Sequence, residues 1–404
     1  MHHKMLRLSF LRIFLPLAIF VLAGAYLFGR AEFEQGISRL KADEKLNVSL
    51  GAAAILQSLD DIARDLKYIA SHSALRAAVD ATTPQALQHL AEDLVTFSGS
   101  RATYDQLRWI DETGMERVRV NYLNGQAEVT PANKLQNKGQ RYFFIDASKL
   151  KPGEIFVSPL DLNIEQDVIE TPYEPVLRAA TPVINSLGAK RGIVIVNFFG
   201  KVMLDSFASA APKIADHAML LNNEGYWLKS PQATDEWGFM FNRADLSLAT
   251  RAPLDWAEIR SADSGQAVLA DGLWTWQKIY PLQAGEKSST GATEAFARSH
   301  GEVTGEQYFW IAAAHVQADA LSALRQAIVV KLAVVCTVLL GMIGIGSRGL
   351  ASAWVKRAEA EEALRRLNAG LEQQVDHRTQ QLRSKVAELD AEIDERKLPR
   401  RRCA

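Results

Sequence analysis

Disulfide and metal chemistry are nearly closed to this chain from its composition. Its 404 residues include two cysteines, Cys336 and Cys403, so the long central stretch has no disulfide framework and no CxxC pair. The eight histidines form no HExxH and no paired metal spacing, and no serine stands in a GxSxG elbow. These gaps argue against an enzyme and against a resident cofactor. A formal net charge of -1 offers nucleic acid no bulk attraction. Charge is also locally scarce: Ile13–Gly29 has none, and Ala327–Gly346 has only Lys331.

Apolar runs of roughly 20 residues match the hydrocarbon thickness of a bilayer. In lipid such a run is helical, because a helix satisfies its own backbone donors and acceptors. Lys331 lies one turn from the end of its run, where a lysine can snorkel to the headgroups. The first run admits a second reading as a cleaved signal peptide, with Ala23-Gly24-Ala25 as the small-residue site. It continues through Tyr26, Leu27 and Phe28 with no turn signal after it, which favours a retained anchor. Lys4, Arg7 and Arg12 precede the first span, while Arg348, Lys356 and Arg357 follow the second. The positive-inside rule then places both termini in the cytoplasm and residues 30–326 outside it, a two-pass protein of a bacterial inner membrane.

The outer region begins with a helical pattern from Ala31 to Ser73, its apolar residues running from Leu40, Leu46, Leu50 and Leu56 to Leu66 and Ile69. Thr83–Phe97 is a second helix, with Thr83 as N-cap and Pro84 in the first turn. Strands follow at Tyr104–Asp111 and Glu116–Tyr122 around the turn Glu112-Thr113-Gly114, then at Glu154–Ser158, Val176–Val183 and Gly192–Phe198. Lys201–Ser209 reads as a helix. A second strand set comprises His217–Asn222, Tyr226–Lys229, Gly265–Ala270, Leu273–Tyr280 and Gln307–Val316. Between Gly285 and Gly305 the chain is rich in Gly, Ser and Thr without apolar period, which predicts a mobile loop.

Past the second span, Leu364, Leu367, Leu371, Val375, Arg378, Leu382, Val386, Leu389 and Ile393 recur at steps of 3-4-4-3-4-4-3-4. That 11-residue repeat predicts a near-straight coiled coil and a parallel homodimer, with Arg378 the one polar seam residue. Two other strings carry no function. His377-Arg378-Thr379 lacks the Glu and Pro of a phospho-accepting histidine motif, and Gly344–Gly349 fits GxGxxG but follows no strand.

Several strings carry a family resemblance: Tyr104–Asp111 (YDQLRWID), Leu135–Phe144 (LQNKGQRYFF), Ser158–Glu165 (SPLDLNIE), Leu220–Leu228 (LLNNEGYWL) and Glu236–Met240 (EWGFM). Together they resemble the double Cache, or tandem extracellular PAS-like, sensor domains of bacterial transmembrane receptors of histidine kinase, diguanylate cyclase and chemoreceptor type. The resemblance implies an α+β fold of two tandem modules on a long stalk helix, held between two transmembrane helices and followed by a cytoplasmic coiled coil. The expected organisation is a cytoplasmic N-terminus at 1–12, a span at 13–29, a stalk at 30–75, and a membrane-distal module at 76–205. A membrane-proximal module at 206–326, a second span at 327–347, a coil at 348–397 and a basic tail at 398–404 complete it. The expected output domain is missing after Leu398-Pro399-Arg400-Arg401-Arg402-Cys403-Ala404.

The distal module of such receptors usually holds a small-molecule pocket. In Arg117–Asn121, Val118 and Val120 share one face while Arg117, Arg119 and Asn121 share the other. An arginine pointing into a small module is expensive unless it meets a carboxylate. Arg119, Arg141 and Arg178 are therefore candidates for clamping an anionic or zwitterionic ligand. Asp161 would receive an amine, and Tyr104 and Tyr142 would add hydrogen bonds or stacking. The competing reading pairs these arginines with Asp111, Glu116 or Glu174 at the surface. Two further alternatives stay open: docking of a periplasmic solute-binding protein, and a fragment of a kinase or cyclase without its own output.

Overall fold

The computed structural model describes residues 2–165, 168–294, 297–303 and 305–396; the basic tail with Cys403 lies outside them. The chain divides into two compact units, Met1–Gln35 with Leu324–Ala404, and Gly36–Ala323.

The second unit holds the α+β part. Helix α1 (His2–Ser71) enters it from Gly36 onward, and α2 (Ser73–Ala81) and α3 (Pro84–Arg101) follow. Thr83 caps α3, its hydroxyl accepting from Ala86 N at 3.2 Å with Pro84 in the first turn. Strands β1 (Tyr104–Ile110), β2 (Glu116–Leu123) and β3 (Gln126–Val129) lead to α4 (Tyr142–Ser148). Then come β4 (Ile155–Val157), β5 (Asp161–Leu162), β6 (Ile164–Glu165), β7 (Val168–Ile169), β8 (Pro175–Ile184), β9 (Lys190–Phe199) and α5 (Gly200–Ala210). The remainder is β10 (Ala218–Leu221), β11 (Trp227–Lys229), α6 (Leu248–Arg251), α7 (Pro253–Ser261), β12 (Ser264–Leu269), β13 (Gly272–Ile279), β14 (Glu286–Ser289), β15 (Glu302–Val303), β16 (Trp310–Gln317) and α8 (Ala318–Arg396).

Among the described residues two main sheets form. The first runs β15-β14-β4-β8-β9-β1-β2-β3, with β5 also on β8; the second runs β11-β10-β16-β13-β12. The hairpin at Glu112–Gly114 forms as its sequence predicts, because Asp111 Oδ1 accepts from Thr113 N at 2.9 Å and Met115 N at 3.1 Å.

Alternation decides which sheet face meets the helices. Leu107 and Trp109 of β1, Val118 and Val120 of β2, Leu177 and Ala179 of β8, and Val194 and Val196 of β9 lie in one apolar core with α1, α2 and α3. That core continues to Leu220, Trp310, Ala312 and Ala314 of the second sheet, so α1 serves both sheets as a spine. Each fully buried Leu or Ile side chain contributes about 1.5–3 kcal/mol. The buried stripe of α1 is Val48, Ala52, Ile55, Leu59, Ile62, Leu66 and Ile69. Leu46, Leu50 and Leu56, which the sequence puts on that stripe, are 57%, 45% and 39% exposed. The correction is geometric: Leu46 and Leu50 lie two positions from buried Val48 and point to another face, and Leu56 lies one position past buried Ile55 at the margin of the stripe. Gly51 is buried, where an added Cβ would lie 2.6 Å from the Phe207 ring.

The segment predicted as a mobile loop is corrected in part. Glu286–Ser289 is a strand that pairs in parallel with β4, Glu286 opposite Ile155 and Lys287 opposite Phe156. Its buried residues are Ser288 and Ser289, 1% and 2% exposed. Apolar periodicity could not reveal a strand whose buried residues are serines.

In the other unit, Met1–Gln35 and Leu324–Ala404 contain two helical stretches long and apolar enough to cross a membrane. Lys331 Nζ lies 3.6 Å from Glu32. Gly344–Gly349 is inside α8, so its GxGxxG string is helical. The side chains of Leu364, Leu367, Leu371, Val375, Leu382, Val386, Leu389 and Ile393 are 46% to 62% exposed along α8.

Candidate functional site

The face of the first sheet away from α1 carries polar residues where the helix-facing side carries valine and leucine. Arg178 on β8 stands opposite Asn197 on β9, and Arg108 on β1 stands opposite Arg119 on β2. Helix α4 packs over this face, where Tyr142, Phe143 and Phe144 meet Ile110, Ile193 and Ile195. Phe143 is the organising group: the guanidinium carbons of Arg108, Arg141 and Arg178 lie 5.5, 5.6 and 5.6 Å from its ring centre.

Arg178 is 3% exposed and makes the shortest ion pair of the cluster, Nη1 to Asp161 Oδ1 at 2.6 Å. Its Nη2 donates to Asn163 Oδ1 at 3.1 Å, and Tyr142 Oη donates to Asp161 Oδ2 at 3.1 Å. Burial works against the charge of Arg178, but Asp161 and Tyr142 more than offset it, and its pKa stands above the ordinary arginine value. Arg108, 3% exposed, donates from Nη2 to Asn197 Oδ1 at 2.7 Å and faces Glu116 Oε1 at 3.5 Å. Burial pulls its pKa down to about 10 despite Glu116. Glu116, 1% exposed, also accepts from Gln136 N at 3.0 Å. Burial pushes the Asp105 carboxyl up to about 6, against the pull of Arg108 and Asn197.

Of the six sequence-predicted residues, the structure brings Arg178, Asp161 and Tyr142 into direct contact, with Arg141 on the same aromatic ring. Arg119 sits further along the face, with Nε donating to Asn121 Oδ1 at 3.0 Å and Nη1 3.7 Å from Glu116. Tyr104 does not join them. It lies in the helix-facing core, its Oη donating to Asp65 Oδ2 of α1 at 2.7 Å, with Arg101 on the other oxygen of that carboxylate. Arg119 does pair with Glu116, but in the interior rather than at the surface.

Sequence reasoning missed Arg108, Asp105 and Phe143, and it named Glu116 as an arginine partner but put it at the surface. Arg108 was legible, since it alternates with the buried Leu107 and Trp109 and so must point to the opposite face. Asp105 was not, because a β-bulge between Tyr104 and Gln106 shifts the register there.

Residues from much later in the chain reach this site. Ala292 packs against the Phe143 cluster, Ser299 Oγ donates to Asp146 Oδ2 of α4 at 2.7 Å, and Tyr308 Oη donates to Ser158 O at 2.9 Å. Among the described residues, no three His, Cys, Asp or Glu side chains gather as metal ligands.

The model of the bacterial histidine kinase sensor domain matches residues 58–287, more than half of the chain. No curated protein matches it. Among solved structures, the extracellular domain of the histidine kinase vpHK1S-Z8 aligns over 69% of this chain and 94% of that one, at TM-score 0.55 and 17% identity. A domain of a sensory box/GGDEF family protein from Vibrio parahaemolyticus aligns over 68% and 99%, at TM-score 0.53 and 17% identity. The sensory domain of the Campylobacter jejuni chemoreceptor Tlp3, solved with isoleucine bound, aligns over 73% and 98%, at TM-score 0.44 and 10% identity. The first two likenesses show a shared sensor-domain fold, and the family match settles the assignment: this chain belongs to the bacterial histidine kinase sensor-domain family, a sensing rather than a catalytic one.

Proposed function

We propose that the chain is the input portion of a dimeric two-pass inner-membrane receptor, binding a small carboxylate-bearing molecule on the α4-covered face of the first sheet. The observation that carries this is the gathering of Arg108, Arg141 and Arg178 around Phe143, with Arg119 beyond them. Four guanidiniums share this face with Asp105, Glu116, Asp161 and Glu170, so an anion placed here would meet several charged donors at once. Asp161 holds Arg178 in this state, and a ligand carboxylate would compete for that guanidinium.

Residues 30–326 would be periplasmic, with modules near 76–205 and 206–326, and both termini cytoplasmic, as the basic flanks of both spans support. The exposed leucines of α1 and the exposed apolar stripe of α8 support a parallel homodimer, the stripe serving as its coiled-coil seam. Ligand binding would bias two arrangements of β16 and α8, to the extent that it binds them with different affinity.

The test is a thermal-shift screen of the purified chain in detergent micelles against mono- and dicarboxylates. A hit that raises the melting temperature and is lost in Arg178→Ala and Arg141→Ala supports the site. Hits that both variants keep in full would move the site elsewhere.

A further inference from the structure

The cluster around Phe143 contains a buried acceptor and a buried donor that the chain leaves unsatisfied. Asp105 Oδ2 and Arg108 Nε are both shielded from solvent and have no hydrogen-bond partner. Glu116 Oε1 shares that description, but it faces Arg108 Nη1 at 3.5 Å. Native proteins rarely leave such groups unpaired, and a site that keeps one of each sign has a place for a ligand bearing both.

Asp161, which the sequence singles out for an amine, is already spent: Oδ1 holds Arg178 at 2.6 Å and Oδ2 accepts from Tyr142 at 3.1 Å. Asp105 is different. It is the extra residue of the β1 bulge, where Tyr104 pairs with Phe198 and Gln106 with Asn197. That bulge sets it near Arg108 on its own strand, near Asn197 on the neighbouring β9, and within the field of Arg178 on β8 and of Glu170 from the segment before β8.

We propose that Asp105, rather than Asp161, receives the ammonium group of a small zwitterionic ligand whose carboxylate lies toward Arg108 and the other guanidiniums. This inference rests on the reading of the α4-covered face as the ligand site. Asp105 is then the residue that separates amine-bearing ligands from plain carboxylates. A site built around a buried hydrogen-bonding partner rejects an analogue lacking that group strongly, because the partner is left unpaired. The interaction also carries a proton signature. Burial holds the Asp105 carboxyl up to about 6, so below that pH it is protonated and pairs poorly with an ammonium.

The experiment uses the full chain in detergent micelles and two matched probe series: L-amino acids and the 2-hydroxy acids with the same side chains. At pH 7.5 at least one amino acid should bind about 100-fold more tightly than its hydroxy twin. In Asp105→Asn that preference should collapse to within about threefold, chiefly through loss of amino acid affinity. In the parent, amino acid affinity should fall between pH 7 and pH 5 and hydroxy acid affinity should not. The parent pH comparison and Asp105→Ser decide the matter if the asparagine variant does not fold. Carboxylate binding without amine preference, or a preference that survives Asp105→Asn, overturns the role of Asp105 and leaves the proposed site standing. Binding of neither series overturns both.

Discussion

The Asp161–Arg178 pair makes a demanding prediction about stability. Both side chains are almost entirely buried, at 6% and 4% exposure, and they meet at 2.6 Å. Arg178→Met would leave the Asp161 carboxylate with the Tyr142 hydroxyl as its side-chain hydrogen-bond donor, in a place too dry for water to help. Losing one partner of a buried ion pair costs about 3–5 kcal/mol. For a folded unit of this size, 1 kcal/mol moves the melting temperature about 2–4 °C, so the variant should melt about 6–20 °C lower. Asp161→Leu should cost a similar amount, since Arg178 would keep only Asn163 at 3.1 Å. The double variant Asp161→Leu/Arg178→Met removes both charges and should recover most of the loss, with a coupling of at least about 2 kcal/mol. Thermal unfolding of the chain in micelles, read by tryptophan fluorescence, measures all four proteins. Strict additivity of the two single losses would refute the reasoning, because it would mean the two charges do not meet in a dry interior.

Other perturbations test separate features. Gly192→Ala should fail to fold or lose well over about 2 kcal/mol, because its φ is +95° and a Cβ would stand 2.0 Å from Ile110 O; Gly153→Ala, at φ +87° with open space, should lose only about 1–2 kcal/mol by thermal melting. His217 has its pKa raised above 6.5 by its bond to Glu44 of α1 at 3.2 Å and by Asp216, against burial. Its contribution is therefore complete below pH 6.5 and lost as pH rises through the raised value, so the melting temperature should decline over that window and His217→Ala should flatten the decline. Cysteines at Leu367 and Leu382 should cross-link in membranes while those at Glu372 and Gln380 should not; equal cross-linking at all four would leave α8 without a defined seam. Reporter fusions after Gly291 and after Glu395 should report opposite compartments, and matching reports would reject the two-pass topology.

Much of the first sheet was legible because its strands obey simple alternation. Val194 and Val196 of β9 share one core, and Ile193 and Ile195 share the other, as a strand buried on both faces requires. The hairpin to β3 carries a plain signal, the dipeptide Asn124-Gly125, and belonged in the sequence reading. The site was harder to read because its members come from strands far apart in sequence. Arg178 and Asp161 are 17 residues apart, but Asn197 meets Arg108 across 89. Periodicity names a face without saying which residues meet across it. Tyr104 and Asp105 show the limit most clearly: one bulge places neighbouring residues in different environments. The leucine stripe of α1 erred for a related reason, since a helix with two apolar faces has no unique core side in its sequence.

The strand Glu286–Ser289 has a consequence for how such a receptor could be cut and recombined. Ile155–Val157 is a short apolar strand, with residues 2%, 1% and 5% exposed, and β14 from the far end of the sensor unit covers its edge. A gene cassette ending after α5 would encode every helix over the first sheet but not the chain that closes its rim. Its product would present the bare backbone of β4, an invitation to pair with a second molecule and aggregate. A ligand specificity moved to another receptor would therefore have to travel with the later strand, Glu286–Ser289, that finishes its sheet.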